Sequence, residues 1–199
     1  MSPRGFTSSE SELIRARLIE ACRECWERYG FQKTTVAELA RSAGISTGAF
    51  YGFFTSKALL FAETAIFYAE QIADNFKRSL PEDATKENLA TAIKGMVRDF
   101  AERPWLISGD GGLEMMRQLP PGEAERLRGL DLSFVREVLE QHHLVCTVSV
   151  EEFTAIIYAL CLSENVHDVV GEHYLTALDI LVDGAVDRVI EPVIRKDPA

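Results

Sequence analysis

Apolar residues recur every three or four positions along almost the whole chain, a spacing that is typical of amphipathic α-helices. The pattern predicts nine helices, over about residues 9–29, 35–42, 46–53, 57–79, 86–102, 113–118, 123–142, 149–161 and 173–195. The segment His142–Thr147 is the one stretch with strand character, and it is too short to build a sheet. The sequence therefore predicts an all-α protein of about nine helices.

Several of the predicted helices carry recognisable end signals. A capping box is a Ser or Thr followed three residues later by Glu or Gln, and it marks the start of a helix. Three such pairs occur, at Ser9-x-x-Glu12, Thr35-x-x-Glu38 and Ser149-x-x-Glu152. Gly30 is predicted to end the first helix, and Ser46 to cap the third. The second and third helices are short and are joined by Ala43-Gly44-Ile45, which predicts a helix-turn-helix.

Residues 34–61, TTVAELARSAGISTGAFYGFFTSKALLF, resemble the DNA-binding signature of the TetR family of transcriptional repressors. The matching positions are Thr34-Thr35-Val36, Ala40, Ala43-Gly44-Ile45-Ser46, Gly48, Tyr51, Phe54, Ser56-Lys57 and Leu60. The resemblance covers about residues 10–61, whereas residues 62–199 match only in length and helical plan. It implies a three-helix DNA-binding domain over residues 1–56 and a helical ligand-binding and dimerisation domain over residues 57–199.

The third helix begins with small and polar residues, as a helix that meets base edges and phosphates requires. Ser46 and Thr47 are predicted to lie nearest the groove, and Gly48 to allow close approach of the backbone. The resemblance places Thr35, Tyr51 and Lys57 on phosphates. The predicted DNA-binding residues are Lys33, Thr35, Arg41, Ser46, Thr47, Gly48, Tyr51 and Lys57. Phe50 and Phe54 are predicted to be core residues that hold the third helix against the first.

Two positions depart from the family pattern. Gly52 and Phe53 follow Tyr51 where many relatives place polar side chains, so possible phosphate contacts are lost. Lys33, Arg41 and Arg4 are candidates for compensating charge.

Charge is distributed unevenly along the chain. The whole sequence has a formal net charge of −10, yet residues 1–58 hold eight basic and six acidic side chains. An acidic body repels polyanions, so the nucleic-acid contact is expected on the N-terminal segment. Cys22 and Cys25 are predicted to pack beside Trp26 as small apolar residues, since no further zinc ligands follow at a suitable spacing. No metal and no resident cofactor are predicted.

The second domain is expected to bind a small molecule and to form the dimer. The candidate pocket residues are Phe100, Trp105, Met115, Met116 and Phe134, with ordinary core packing as the alternative. The candidate interface residues are Leu160, Leu175, Leu178, Val182 and Ala185, with intramolecular core as the alternative. A dimer is expected because one short helix reads few bases, whereas a two-fold dimer reads a palindrome.

These observations predict a homodimeric repressor that a small-molecule effector releases from a palindromic operator. Two alternatives stay open: a helix-turn-helix regulator without a small-molecule ligand and under the control of a protein partner, or an activator. An enzyme is not predicted, because the sequence has no G-x-S-x-G, phosphate-binding glycine loop or metal-ligand pattern. The first thirty residues carry five glutamates where a secretory signal would need an apolar segment, and the chain has no long apolar run. A cytoplasmic protein without a membrane contact is therefore predicted.

Overall fold

The computed structural model describes residues 5–107, 110–128, 133–163 and 167–192. The helices are α1 (Ser8–Lys33), α2 (Val36–Ser42), α3 (Thr47–Phe53), α4 (Lys57–Ser79), α5 (Lys86–Ala101), α6 (Pro104–Ile107), α7 (Asp110–Gln118), α8 (Pro121–Arg128), α9 (Ser133–Gln141), α10 (Val150–Leu162), α11 (His167–Val170) and α12 (Tyr174–Val189). Two short strands, β1 (Leu144–Cys146) and β2 (Ile190–Pro192), and a 3₁₀ turn (Gly171–His173) complete the described part. The all-α prediction is confirmed.

Packing divides the chain into two units. Unit 1 comprises Met1–Ala69 and Ser108–Arg128, and unit 2 comprises Glu70–Ile107 and Gly129–Ala199. Helix α4 begins in unit 1 and ends in unit 2. The domain division between residues 56 and 57 stays a prediction, since these units are defined by packing and not by function.

Unit 1 is built around aromatic side chains that join α1, α3 and α4. The Trp26 ring on α1 lies 4.8 Å from the Phe61 ring on α4, centroid to centroid, and Phe31 meets Phe61 edge-on at 5.0 Å. Phe50 on α3 and Phe54 directly after it are fully buried, and their rings are 6.2 Å apart. The prediction that these two residues belong to the core is confirmed. Burial of such side chains supplies about 1.5–3 kcal/mol each, which fixes the short α3.

The two ends of α1 differ in how well the sequence predicted them. The helix begins at a Thr7–Glu10 capping box and not at Ser9–Glu12, because the Thr7 side chain accepts the hydrogen bond from the Glu10 backbone N–H. Gly30 has a φ of +73°, a left-handed conformation that glycine adopts without strain, and α1 is broken there. Gly30 therefore interrupts the regular helix where the sequence placed its end, and a further turn follows it.

Unit 2 is held by a core from α4, α5, α9, α10 and α12 and by ion pairs between α5 and α12. The core includes Ile93, Val97, Ile157, Leu178 and Val182. Lys94 Nζ lies 2.6 Å from Asp183 Oδ1 and Arg98 Nη2 lies 2.6 Å from Asp179 Oδ1, while Lys86 pairs with Asp187. Cations with higher residue numbers on α5 pair with aspartates with lower residue numbers on α12. The two helices therefore run antiparallel.

The later half of the chain departs from the predicted elements in several places. Strand β1 pairs antiparallel with β2, so the segment with strand character does form a sheet, and the last long helix ends at Val189. The paired residues are more than forty positions apart in sequence. The local spacing of apolar residues therefore could not predict that the two strands pair. The helix predicted over 123–142 is two helices, α8 and α9. Helix α7 begins at Asp110, three residues before the start predicted for the sixth helix, and it packs against α1.

Within the described residues, no single helix is long and apolar enough to cross a membrane. The segments Val150–Leu162 and His167–Val189 are together long and apolar enough for a membrane span by length and composition alone, but the chain bends by 64° between them.

Candidate nucleic-acid interface

The α2–turn–α3 element is fixed by side-chain caps at both helix starts. Thr35 and Glu38 form the predicted capping box, in which the Glu38 N–H donates to Thr35 Oγ1 at 3.2 Å and the Thr35 N–H donates to Glu38 Oε2 at 3.0 Å. The hydrogen bond from the Thr35 hydroxyl, with that from its N–H, lowers the pKa of Glu38. Ser46 caps α3, as predicted, by accepting a hydrogen bond of 3.1 Å from the Ala49 N–H.

The turn between these helices depends on one glycine. Gly44 has a φ of +74°, and the Ile45 N–H that follows donates to the Ala40 carbonyl at 2.9 Å. Side chains with a Cβ rarely adopt this backbone conformation. The tight turn therefore sets the direction in which α3 leaves α2.

One face of α3 is open to solvent and the opposite face is buried. Ser46, Thr47, Gly48 and Tyr51 are all exposed, whereas Phe50 is fully buried. The Tyr51 side chain is 53% exposed, and its ring stands edge-on to Phe50 at 5.4 Å. The core ring thus supports the tyrosine from below while its hydroxyl remains available to a phosphate. The structure brings these four predicted DNA-binding residues together on one surface.

Gly48 is not required by the packing of the protein itself. Its φ is not positive, and a Cβ built at this position would have Ser46 Oγ, at 3.9 Å, as its nearest neighbour. That distance is ordinary van der Waals contact, so alanine would fit. The missing side chain is consistent with close approach of another molecule to the α3 backbone.

Lys57 occupies a different environment from the one predicted for it. Its ammonium donates hydrogen bonds to the Phe31 carbonyl at 2.7 Å and to the Thr34 carbonyl at 2.9 Å, and it lies 4.2 Å from the centre of the Phe31 ring. Partial burial lowers the pKa of Lys57. These contacts tie the start of α4 to the chain that follows the Gly30 break. In this structure the ammonium stabilises the fold, and its contact with a phosphate stays a prediction.

The remaining cationic candidates lie at the ends of α1 and α2. Lys33 is exposed in the last turn of α1. Arg41 is exposed on α2 and lines a polar cleft between α1 and α2, together with Arg28 and Glu38. The acidic neighbour partly offsets its charge. Arg4, the third candidate for compensating charge, lies outside the described residues.

Phe53 shows what replaces the polar side chain expected after Tyr51. Its ring contacts that of Phe6, just before α1, at 5.8 Å between centroids and with a tilt of 48° between the ring planes. This contact attaches the start of the described chain to the end of α3. Sequence reasoning missed it, although two aromatic residues beside the helix-turn-helix were visible signals.

Comparison with known proteins identifies this arrangement. Residues 18–64 match the family model described as "Bacterial regulatory proteins, tetR family". This segment of the chain therefore resembles the TetR family of regulatory proteins. The match contains α2, the turn and α3, so the interface described above coincides with the family's defining segment.

Named relatives and solved structures agree with this assignment. The chain is 28% identical over 138 residues to the HTH-type transcriptional regulator BetI of Escherichia coli O157:H7, across 64% of this chain and 71% of that protein. It is 39% identical over 96 residues to the HTH-type transcriptional regulator TtgR of Pseudomonas putida, across 48% of this chain and only 45% of that protein. A TetR-family regulator from Marinobacter aquaeolei has the same fold, with a TM-score of 0.63 and 20% identity over 93% of this chain and 100% of that one. These similarities support a helix-turn-helix transcriptional regulator.

The five predicted pocket residues are divided between the two units. Phe100, Trp105 and Phe134 belong to unit 2, and Phe134 meets Phe76 of its core edge-on at 5.4 Å. Met115 is buried and Met116 half-buried in unit 1. A shared pocket formed by these side chains stays a prediction.

The structure places three of the five predicted dimer residues in the core, which is the alternative that the sequence left open. Leu160, Leu178 and Val182 are buried within the core of unit 2, and the dimer surface itself stays a prediction. Leu175 is exposed and Ala185 half-buried. Other large apolar side chains that are exposed on α10 and α12 are Tyr158, Leu162, Ile180 and Leu181. Apolar periodicity alone did not distinguish the inner stripe of α12 from the outer one.

Cys22 and Cys25 differ in their surroundings, because Cys25 lines the polar cleft between α1 and α2. Cys22 is fully buried and Cys25 partly buried on α1, and burial raises the pKa of both thiols. Within the described residues, no group of three or more His, Cys, Asp or Glu side chains is arranged to hold a metal ion.

Proposed function

We propose that this protein is a homodimeric repressor that binds a palindromic operator through α3 and leaves it when a small molecule binds. The observation that carries the proposal is the exposed face of Ser46, Thr47, Gly48 and Tyr51 above the buried Phe50. Small polar groups and an accessible helix start are suited to a DNA groove and its phosphates.

Dimerisation is proposed through the outer faces of α10 and α12. Exposed residues three and four positions apart on α10 are Ala155, Tyr158, Ala159 and Leu162, and those on α12 are Ala177, Ile180, Leu181 and Gly184. Each set combines two large and two small residues, which suits close packing against the same helices of a second copy. A two-fold dimer would then present two copies of α3, and the half-sites would lie about 34–36 Å apart or a multiple of that distance.

The ion pairs between α5 and α12 support this choice of face. Asp179, Asp183 and Asp187 recur every four residues on α12 and pair with cations of α5. Leu178 and Val182 occupy the buried stripe beside them. The stripe with Ile180 and Leu181 is therefore left for a partner. A change of this stripe alone should affect the dimer and leave the core of unit 2 intact.

The effector is proposed to act from the second half of the chain on α3. Helix α4 belongs to both units, so a ligand that displaces α4 would change the spacing of the two recognition helices of a dimer. Only one spacing fits both half-sites of an operator. Effector and operator must then weaken each other's binding by the same factor, which is a thermodynamic requirement.

The test begins with an operator selected from random-sequence duplex DNA by the purified protein. Fluorescence anisotropy then compares the wild type with Tyr51→Phe, which removes the exposed hydroxyl of α3. Tyr29→Phe is the matched control, because Tyr29 is a similarly exposed tyrosine in the same unit. The proposal expects Tyr51→Phe to weaken binding by about threefold to tenfold, with the control unchanged. Equal affinities for all three proteins would contradict the assignment of α3.

A further inference from the structure

Glu63 of α4 is shared by two arginines that come from distant parts of unit 1. Its Oε2 lies 3.1 Å from Arg15 Nη2 on α1, and its Oε1 lies 2.9 Å from Arg126 Nη1 on α8. The Glu63 side chain is only 20% exposed. Because each oxygen has its own arginine, the two cations fix the orientation of the carboxylate together.

Arg15 continues from this carboxylate to the recognition helix. Its guanidinium carbon lies 4.6 Å from the centre of the Phe54 ring, within the range of a cation–π contact. Phe54 packs on Phe50, and Phe50 supports Tyr51 edge-on. A continuous series of contacts therefore joins the Glu63 carboxylate to the exposed tyrosine of α3.

Arg126 brings a later part of the chain to the same carboxylate. It is 63 positions beyond Glu63 in sequence, on the segment 110–128 that packs within unit 1 and contacts α1 through α7. Arg126 also lies 3.5 Å from Glu123 on its own helix, so it has a second acceptor if Glu63 is lost. The docking of α8 is thus linked by charge to the residues behind the DNA-binding face.

We infer that Glu63 is a positioning residue for DNA binding, and that Arg126 acts through it, so that docking of segment 110–128 sets the affinity of α3 for DNA. This inference rests on the proposed DNA-binding function. With Arg126 in place, Glu63 is fixed and holds Arg15 over Phe54. Without Arg126 the carboxylate gains rotational freedom, Arg15 is held less firmly, and Tyr51 loses part of its support.

A double-mutant cycle tests the link, because spatial continuity alone does not establish energetic coupling. The selected operator duplex is titrated with wild type, Arg126→Gln, Glu63→Gln and the double variant, each first checked for thermal unfolding and oligomeric state. Arg117→Gln is the matched control, because it removes the same charge from the neighbouring helix α7, where Arg117 lies 3.7 Å from Glu114 and is largely exposed. Arg126→Lys tests whether a cation at this position is sufficient.

The expected result is at least about threefold weaker operator binding by Arg126→Gln, with little further loss when Glu63→Gln is already present. Arg126→Lys should recover most of the affinity, and Arg117→Gln should lose less than Arg126→Gln. Additive effects, or equal effects of Arg126→Gln and Arg117→Gln, would overturn the inference.

Two further arms keep the test decisive. If Glu63→Gln does not fold, the same cycle is run with Arg15→Gln in its place, and the same non-additivity is expected. A wild type that binds no duplex would contradict the proposed function itself. A wild type that binds well while the cycle is additive would contradict only the role of Glu63 and Arg126.

Discussion

Replacement of Gly48 by alanine separates DNA binding from folding, because the structure assigns opposite effects to the two properties. Gly48 lies in α3 with ordinary helical backbone, and the added Cβ would meet only Ser46 Oγ at 3.9 Å. Alanine in place of a helical glycine raises the free energy of unfolding by about 0.5–1 kcal/mol. For a protein of this size, the midpoint of thermal unfolding should rise by about 1–4 °C.

The same methyl group should weaken operator binding. It would lie on the exposed face of α3, in the space where the proposal brings the backbone close to the duplex. A tenfold loss at one half-site corresponds to about 1.4 kcal/mol, and two identical half-sites would give about a hundredfold loss for the dimer. Gly48→Ala should therefore be more stable than the wild type and bind DNA much more weakly.

The assay combines thermal unfolding with anisotropy titration of the selected operator. Gly95→Ala is the matched control, because Gly95 is an exposed glycine of helix α5 with no heavy atom within 4 Å of an added Cβ. The control should gain similar stability and keep the operator affinity of the wild type. Unchanged DNA binding by Gly48→Ala would refute the close approach of the backbone, and a lower unfolding temperature would refute the stereochemical reasoning.

Three further predictions address the fold, the dimer and the pH dependence of stability. Lys57→Met removes two charge-assisted hydrogen bonds and should lower the free energy of unfolding by about 2 kcal/mol in chemical denaturation. Lys33→Met, at an exposed site, should leave it unchanged. Equal stabilities of the two variants would show that the carbonyl contacts contribute nothing. Leu181→Glu should convert the dimer to a monomer in sedimentation at micromolar concentration, while Val145→Glu, also exposed in unit 2, should remain dimeric; a dimeric Leu181→Glu would exclude this face. The lowered pKa of Glu38 contributes stability that is fully present above the ordinary value of 4.5 and is lost as the pH falls through the folded-state value. Glu38→Gln should therefore reduce the fall in the free energy of unfolding at acidic pH. An unchanged dependence on acidic pH would contradict this.

Features set by neighbouring residues were predictable from the sequence. The Thr35–Glu38 box and the Ser46 cap depend on residues three positions apart, and the burial of Phe50 and Phe54 follows from one helical turn. The surface formed by α3 could therefore be predicted from local sequence patterns together with the family resemblance.

Features set by distant partners were not predictable in this way. The acceptors of Lys57 are main-chain carbonyls, which every residue possesses. No pattern of side chains could therefore predict them. The pairing of β1 with β2 and of Arg126 with Glu63 joins residues more than forty positions apart. Helix α12 is apolar on two stripes, and only its packing on α5 and α10 shows which stripe is the core.

The most direct test of the central claim is the salt dependence of operator binding by wild type and Tyr51→Ala. A protein that reads DNA through α3 should bind the selected duplex saturably, with affinity that falls steeply as salt rises and exceeds that for a scrambled duplex by a factor of about a thousand or more. Tyr51→Ala should bind more weakly with a salt slope close to that of the wild type, because a phosphate contact is lost but the neutral phenol releases no counterion. Equal binding of selected and scrambled duplexes, or a Tyr51→Ala protein with the operator affinity of the wild type, would contradict the account.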